Sequence, residues 1–232
     1  GFLDVSADME MVLINSHGQR STRLLRTKTL EVDEDDVGEK RLLIFDKPRD
    51  VKGTVMLTET HRTESDSQWL YLPAVKRVKR ITSNNKTGPF MGSEFSYEDL
   101  GAVEIEKYTY KFLEKKSCDT DECFLVERYP KDDDSGYTRQ IIWIDDIEYR
   151  LRKVEYYDRK DESLKTLTVS GYKRYLNKHW RAESMLMDNT QTGKKTILSW
   201  TNYQFKTGRS EERRVGKECI SSRRKEHEKT TT

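Results

Sequence analysis

The sequence predicts a mostly β protein in which a curled antiparallel sheet forms a full or partial barrel under a short helical or loop lid. Apolar and polar residues alternate with a period of two along most of the chain, which is typical of a sheet with one buried face. About a dozen such stretches follow one another, and a twisted sheet of that many strands usually curls. Residues 83–101 interrupt the alternation but keep large apolar side chains, as a lid docked on the sheet would.

The first half of the chain is predicted to form strands that each pair with a sequence neighbour. A turn at His17 and Gly18 joins the first two strands into a hairpin, and an acidic turn at 33–38 precedes the third. The predicted strands of this half cover residues 9–14, 21–32, 41–45, 53–61, 67–72 and 75–81.

Segment 83–101 has three glycines and one proline, yet it also has large apolar side chains that must dock onto something. Its last part, 93–100, has the composition of a short helix, and an ordinary Ω-loop that plugs the rim of the core is the alternative. Strands then resume over residues 103–113, 123–129, 137–144, 148–157, 164–175, 180–187 and 196–205.

The last 24 residues differ from the rest of the chain. Residues 209–219 read RSEERRVGKEC, which resembles the translation of a common sequencing-library adapter, so we expect 209–232 to be a non-native disordered tail. This tail holds eight Lys or Arg and five Asp or Glu, which leaves 35 basic and 36 acidic side chains in residues 1–208. The near-zero charge argues against a nucleic-acid binder, and no apolar run approaches the length of a membrane-spanning helix.

Catalytic and metal-binding patterns are sparse. The histidines of residues 1–208 are His17, His61 and His179, and no pattern supplies a nucleophile or an orienting carboxylate for any of them. We therefore predict no catalytic residues, no cofactor and no metal site. A lipid-modifying hydrolase is the weakest hypothesis.

Cys118 and Cys123 are the cysteines that remain once the tail is excluded. Their spacing lacks the further ligands that zinc needs, and the acidic residues between them would raise a thiol pKa. A disulfide that closes a hairpin loop fits the spacing best and predicts an oxidising compartment, with two reduced surface thiols as the alternative.

Two groups of side chains are candidates for binding. The basic cluster Lys76, Arg77, Lys79 and Arg80 is a solvated edge or a contact for lipid head groups or an acidic partner. Large apolar residues supply either an ordinary core or the wall of a ligand cavity. The cavity candidates are Met11, Leu13, Met56, Trp69, Tyr71 and Trp143 on the sheet, with Phe90, Met91 and Phe95 on the lid.

Residues 4–208 resemble the LolA-like outer membrane lipoprotein-sorting proteins of double-membraned bacteria. The resemblance is carried by WLYLPAVKRVKRI (69–81) and GPFMGSEFSYEDL (88–100) above all, and by DMEMVLINSHGQRSTR, SGYTRQIIWID and HWRAESMLMDNTQTGKKT. It implies a single domain over 1–208 with a half-open antiparallel barrel, and a signal peptide and first helix that lie outside the given sequence.

The resemblance also implies a function. We expect a periplasmic, non-enzymatic carrier that binds acyl chains of lipoproteins, or of another lipid, in a hydrophobic cavity for transport to the outer membrane. Its partners would be an inner-membrane transporter and an outer-membrane acceptor. The alternative is an envelope interaction module that docks on a transporter or membrane protein through the Lys76–Arg80 edge without holding lipid.

Overall fold

The computed structural model describes residues 3–32, 37–101, 103–119 and 121–206. Within these ranges the helical elements are single 3-10 turns, at Pro73–Val75, Ser83–Asn85, Phe90–Gly92, Glu98–Leu100 and Ile105–Lys107. The strands of the same ranges are β1 (Asp4–Ile14), β2 (Arg20–Glu31), β3 (Val37–Lys47), β4 (Val55–His61), β5 (Ser67–Leu72), β6 (Arg77–Ile81), β7 (Tyr108–Cys118), β8 (Asp121–Pro130), β9 (Tyr137–Asp145), β10 (Leu151–Asp158), β11 (Ser163–Ser170), β12 (Lys173–Tyr175), β13 (His179–Arg181), β14 (Ser184–Asn189) and β15 (Lys195–Phe205).

Thirteen of these strands form one antiparallel sheet in the order β6-β5-β4-β3-β2-β1-β15-β14-β11-β10-β9-β8-β7. The first and last strands pair at the middle of the sheet, and β6 and β7 are its two edges. The remaining strands, β12 and β13, pair with each other as a separate hairpin. The sheet is therefore not closed, and the predicted curled, half-open, mostly β architecture is confirmed.

Alternation of buried and exposed side chains separates two faces of this sheet. On β1, Met9 and Met11 are buried whereas Asp8 and Glu10 are not. Met9 lies opposite Leu25 of β2 on one side and opposite Trp200 of β15 on the other. Because side chains on one face recur at every second residue, this register continues one apolar inner face across the neighbouring strands.

Residues 82–101, which we call the lid segment, belong to the connection from edge strand β6 to edge strand β7 and lie against the inner face. Phe90 is fully buried, with its ring centroid 5.8 Å from that of Phe45 and 5.6 Å from that of Tyr97. Phe95 is also buried in the core. The lid segment, which lies in the connection between the two edge strands, therefore covers the inner face of the sheet.

The short helix expected over 93–100 is not formed, and only Glu98–Leu100 makes a 3-10 turn. Instead, the Phe90 N–H donates to the Phe95 carbonyl at 2.7 Å, and Pro89 and Ser96 form an isolated β-bridge. These contacts fold the lid segment back on itself, so its backbone hydrogen bonds are made without a helix.

Several predicted strand boundaries also differ. The strands expected over 164–175 and 180–187 each break, because Gly171 at φ 67° turns the chain and its carbonyl accepts from the Glu183 N–H. The strand expected over 103–113 begins at Tyr108, after the last 3-10 turn. Residues 33–36 of the acidic turn and the tail 209–232 lie outside the described residues.

The predicted disulfide between Cys118 and Cys123 is confirmed. The two Cα atoms are 5.8 Å apart, and the bridge joins the end of β7 to the start of β8. It therefore closes the hairpin at one edge of the sheet.

Candidate functional site

A cavity of about 230 Å³ lies between the lid segment and the inner face at the middle of the sheet. Its size is just below the range of roughly 300–1,000 Å³ that is common for small-molecule sites. Its walls come from β1, β2, β3, β14 and β15, from the end of β13 with the residue that follows it, and from the lid segment. The lining residues are Val5, Ala7, Met9, Met11, Thr27, Thr29, Arg41, Leu43, Phe90, Phe95, Leu100, Arg181, Ala182, Met185, Leu198, Trp200 and Tyr203.

The apolar wall of the cavity follows from the register of β1 with its neighbours. Met11 lies opposite Leu198 of β15, and Leu198 lies opposite Met185 of β14. Ala7, two residues before Met9, contributes only a methyl group where its neighbours contribute long side chains. A small residue flanked by large ones leaves space that the sheet does not fill.

The cavity also has two guanidinium groups on its wall. Arg41 donates from Nη1 to the Leu100 carbonyl at 3.2 Å, which ties β3 to the lid segment, and it pairs with Glu39 of its own strand. Arg181 donates from Nη1 to the Trp180 carbonyl at 3.0 Å. The cavity therefore combines apolar walls with cationic N–H donors, which suits an apolar molecule that has a polar end.

Tyr203 adds a phenol to the same polar part of the wall. Its hydroxyl donates to the Ala182 carbonyl at 3.1 Å, and burial raises the pKa of this phenol. At neutral pH it therefore stays a neutral hydrogen-bonding group beside Arg181.

Asp99 is the main anchor of the lid segment. Its Oδ2 accepts from Lys165 Nζ of β11 at 2.6 Å and from the Ser96 N–H at 2.7 Å, and its Oδ1 accepts from the Tyr137 hydroxyl of β9 at 2.8 Å. Only 5% of the Lys165 side chain and 3% of the Asp99 side chain are exposed. This buried ion pair holds the lid segment on the β9–β11 half of the sheet.

Two glutamates add further anchors. The Glu94 carboxylate accepts from Asn189 Nδ2 at 2.7 Å, while Glu98 accepts from the Ser135 hydroxyl and, at 3.0 Å, from the Gly136 N–H. Burial is the largest influence on Glu98 and raises the pKa of its carboxyl. Displacing the lid segment would require specific polar contacts to break.

Gln68 and Arg23 hold the lid segment on the other half of the sheet. Gln68 Nε2 donates to the Tyr97 carbonyl at 2.9 Å, and Arg23 Nη1 donates to the Met91 carbonyl at 2.5 Å. Together with the Asp99 contacts, these bonds tie the lid segment to both halves of the half-open barrel.

The structure brings some of the predicted cavity residues together. Met11, Phe90 and Phe95 line the cavity. Met56 is fully buried in the same core, and Leu13 and Met91 pack against that core without lining the cavity.

Trp69, Tyr71 and Trp143 are not brought to the cavity. In β5 the buried Leu70 lies opposite Met56, so Trp69 and Tyr71 lie on the opposite, outer face. In β9 Ile142 belongs to the core.

Trp143 is therefore also on the outer face. Its ring centroid is 5.7 Å from Lys116 Nζ and 4.9 Å from Lys153 Nζ. The large size of the three outer aromatics made them cavity candidates, but strand alternation decides the face.

Several lining residues were not identified from the sequence, among them Ala7, Met9, Met185 and Leu198. The alternation of 5–13 contained the signal for those on β1, since Met9 shares a face with Met11. The contribution of β14 and β15 depends on the pairing of β1 with β15, which no local pattern shows.

The basic cluster is at the surface. Arg77, Lys79 and Arg80 are exposed on edge strand β6, and Lys76 is exposed just before it. In the described part of the chain, no three His, Cys, Asp or Glu side chains are grouped so that they could hold a metal ion. None of the helices in those residues has the length and apolar character needed to cross a membrane.

Comparison with known proteins gives consistent matches over most of the chain. A family model described as an uncharacterized protein matches residues 38–213. A solved outer membrane lipoprotein-sorting protein domain from Vibrio parahaemolyticus is 53% identical, with a TM-score of 0.88, over 91% of this chain and 88% of that one.

Two further solved structures are similar. A DUF1329 family protein from Desulfovibrio piger is 29% identical, with a TM-score of 0.84, over 90% of this chain and 88% of that one. A LolA superfamily protein from Nitrosomonas europaea shares the fold at 16% identity, with a TM-score of 0.67, over 87% of this chain and 85% of that one. The search of curated proteins finds no match.

Proposed function

Because the chain belongs to the LolA-like family of outer membrane lipoprotein-sorting proteins, we propose that it is a periplasmic, non-enzymatic carrier of acyl chains. The cargo is the acyl part of a lipoprotein or of another lipid, bound in the cavity under the lid segment. The observation that carries this proposal is the cavity itself, whose walls are mainly apolar and whose covering residues include Phe90 and Phe95.

The energetics of the cavity favour an apolar cargo. Each methylene group that leaves water contributes about 0.8 kcal/mol, whereas association costs on the order of 4–15 kcal/mol. An acyl chain that buries about ten methylene groups therefore offsets the lower part of that cost, which gives binding that is measurable yet reversible.

Release of the cargo requires only that the lid segment move, with no bond chemistry. The contacts that hold it include hydrogen bonds from Arg23 and Arg41 to its carbonyl groups and the ion pair of Lys165 with Asp99. A protein partner that competes for these groups would lower the cost of opening. We propose an inner-membrane transporter as donor and an outer-membrane protein as acceptor.

The proposed compartment agrees with the Cys118–Cys123 bridge, because disulfides persist mainly in oxidising compartments such as the periplasm.

A cavity-filling variant tests the carrier function. Ala7→Phe places a ring in the cavity, whereas Ser6→Phe adds a similar volume on the outer face of the same strand. We expect Ala7→Phe to weaken binding of a fluorescent fatty acid at least tenfold and Ser6→Phe to leave it unchanged. Equal binding by the two variants, with both folded by circular dichroism, would place the fatty acid outside the cavity and contradict the proposal.

A second candidate function rests on the exposed basic edge. Among the described strands none pairs with the outward side of β6, and Lys76, Arg77, Lys79 and Arg80 are exposed there. Such an edge can accept an envelope protein without any lipid. Replacing the four residues with Ser separates the two functions, since a carrier keeps its fatty-acid affinity and an interaction module loses its partner.

A further inference from the structure

The hairpin β12–β13 stands apart from the large sheet. Its two strands pair only with each other among the described strands, and the turn between them consists of Leu176, Asn177 and Lys178. Leu176 and Asn177 have positive φ, 50° and 53°. Asn accepts this left-handed conformation readily, but a leucine rarely does, and Leu176 is also 56% exposed. The tip therefore exposes an apolar side chain to solvent, in a backbone conformation that leucine rarely adopts.

The strands of the hairpin are held on both faces. Tyr175 packs on Tyr203 and Phe205 at the end of β15, with ring centroids 5.0 and 5.3 Å apart. On the other face, Trp180 Nε1 donates to Glu148 Oε2 at 3.0 Å, and the Arg150 guanidinium lies 4.7 Å from the Trp180 ring centroid. These contacts fix the position of the hairpin from which the exposed tip projects.

The charge of the hairpin is of one sign. Residues 172–182 contain four Lys or Arg and one His but no Asp or Glu. Lys173 pairs with Glu183 at the base, whereas Arg174 and Lys178 flank the tip and are exposed. An exposed leucine between cations has the chemistry of a surface that meets anionic head groups and the apolar region just below them.

The hairpin is also continuous with the cavity. Arg181, at the end of β13, and Ala182, the next residue, line the cavity, as does Tyr203, which supports the hairpin. None of the four cations at the β6 edge lines it. Contact of the tip with a membrane would place this wall of the cavity near the lipid surface.

We propose that the β12–β13 tip is a docking site for an anionic lipid bilayer, with Leu176 in the head-group region and Arg174 and Lys178 against the anionic head groups. This inference extends the proposed function, since docking would bring the cavity to its lipid source. The interaction itself does not require a loaded cavity.

Sedimentation with vesicles tests the docking site on the full chain. The vesicles contain either phosphatidylcholine alone or equal parts of phosphatidylcholine and phosphatidylglycerol. Since each cation near an anionic surface contributes roughly fivefold, Arg174→Ser with Lys178→Ser should weaken binding to the anionic vesicles about 30-fold. Leu176→Asn suits the turn and should weaken binding without harming the fold. The matched control, Arg49→Ser with Lys52→Ser, removes the same charge from the exposed turn after β3 and should have little effect.

The outcomes are distinct. Loss of anionic-vesicle binding in both hairpin variants but not in the control supports the docking site. If the hairpin variants bound the vesicles as tightly as the wild type, the docking site would be overturned, and an acidic protein would remain as the partner of the tip. An equal loss of binding in the control would show an unspecific effect of charge and would also overturn the docking site. Binding of the fluorescent fatty acid is measured in parallel. If the protein binds no fatty acid, the proposed carrier function fails, whereas the docking site is judged from vesicle binding alone.

Discussion

Removing the charge of Asp99 tests whether the lid segment is anchored as the structure indicates. In Asp99→Asn the carboxylate that faces Lys165 becomes a neutral amide of nearly the same shape. The ammonium group of Lys165 then remains buried without its counter-ion, and it keeps a hydrogen bond to the Glu94 carbonyl at 3.0 Å.

The expected magnitude follows from the burial of this pair. Both side chains are at most 5% exposed, and breaking a buried ion pair by removing one partner costs about 3–5 kcal/mol. Lys165→Met leaves Asp99 with its bonds to Tyr137 and Ser96, so we expect a smaller cost, about 2–3 kcal/mol. Combining both variants should cost less than the sum by at least about 1.5 kcal/mol, because the partners interact directly.

Urea unfolding of the wild type, both single variants and the double variant measures these values. A matched control is Asp188→Asn, since Asp188 and Lys195 form an ion pair of the same 2.6 Å length that is 36% and 44% exposed. The control should lose less than about 1 kcal/mol. If Asp99→Asn were as mild as the control, or if the two single effects were additive, the lid segment would not be held by this buried pair.

Three further predictions concern other parts of the fold. Replacing Cys118 and Cys123 with Ser should lower Tm by a few degrees, because the disulfide that closes so short a loop contributes about 2 kcal/mol to the free energy of unfolding. Fatty-acid binding should stay intact. An unchanged Tm by calorimetry would mean that the bridge adds no stability. Burial raises the pKa of the Glu98 carboxyl in the folded protein above its value in the unfolded chain, so protonation of Glu98 stabilises the folded state. This stabilisation is complete below the unfolded pKa and is lost as pH rises through the folded pKa. Urea unfolding at about pH 5 and pH 7.5 should show a smaller loss of stability with rising pH in Glu98→Gln than in wild type, and equal losses would contradict the assignment. Leu176→Asn should raise the free energy of unfolding by about 1 kcal/mol by relieving the left-handed leucine, whereas a decrease would show that the turn depends on the leucine side chain.

Most strands of this protein were predictable because they carry their own period-two pattern. Residues 67–72 are a strand in both the prediction and the structure, and Phe90 and Phe95 were recognised as apolar residues in a segment that must dock. Such signals are local, so the sequence contains them without any knowledge of the fold.

Pairing across the chain was not predictable in the same way. The register that puts Trp69 and Trp143 on the outer face depends on which neighbour each strand meets, and shifting a strand by one residue exchanges its faces. The pairing of β1 with β15, which completes the cavity wall, joins the first and last described strands of the chain and leaves no local trace. The β12–β13 hairpin was hidden because residues 164–175 were predicted to be one strand, although the backbone turns out of the sheet at Gly171.

Native mass spectrometry of the full-length protein taken from the periplasm of its own cells tests the carrier function most directly. We predict that the wild type carries an adduct with the mass of a lipid or acylated peptide, and that Ala7→Phe, which fills the cavity, carries much less of it while Ser6→Phe carries as much as wild type. Wild-type protein that is free of any such adduct, and that takes up none when fatty acid or lipidated peptide is added, would contradict the proposal that the cavity holds acyl chains.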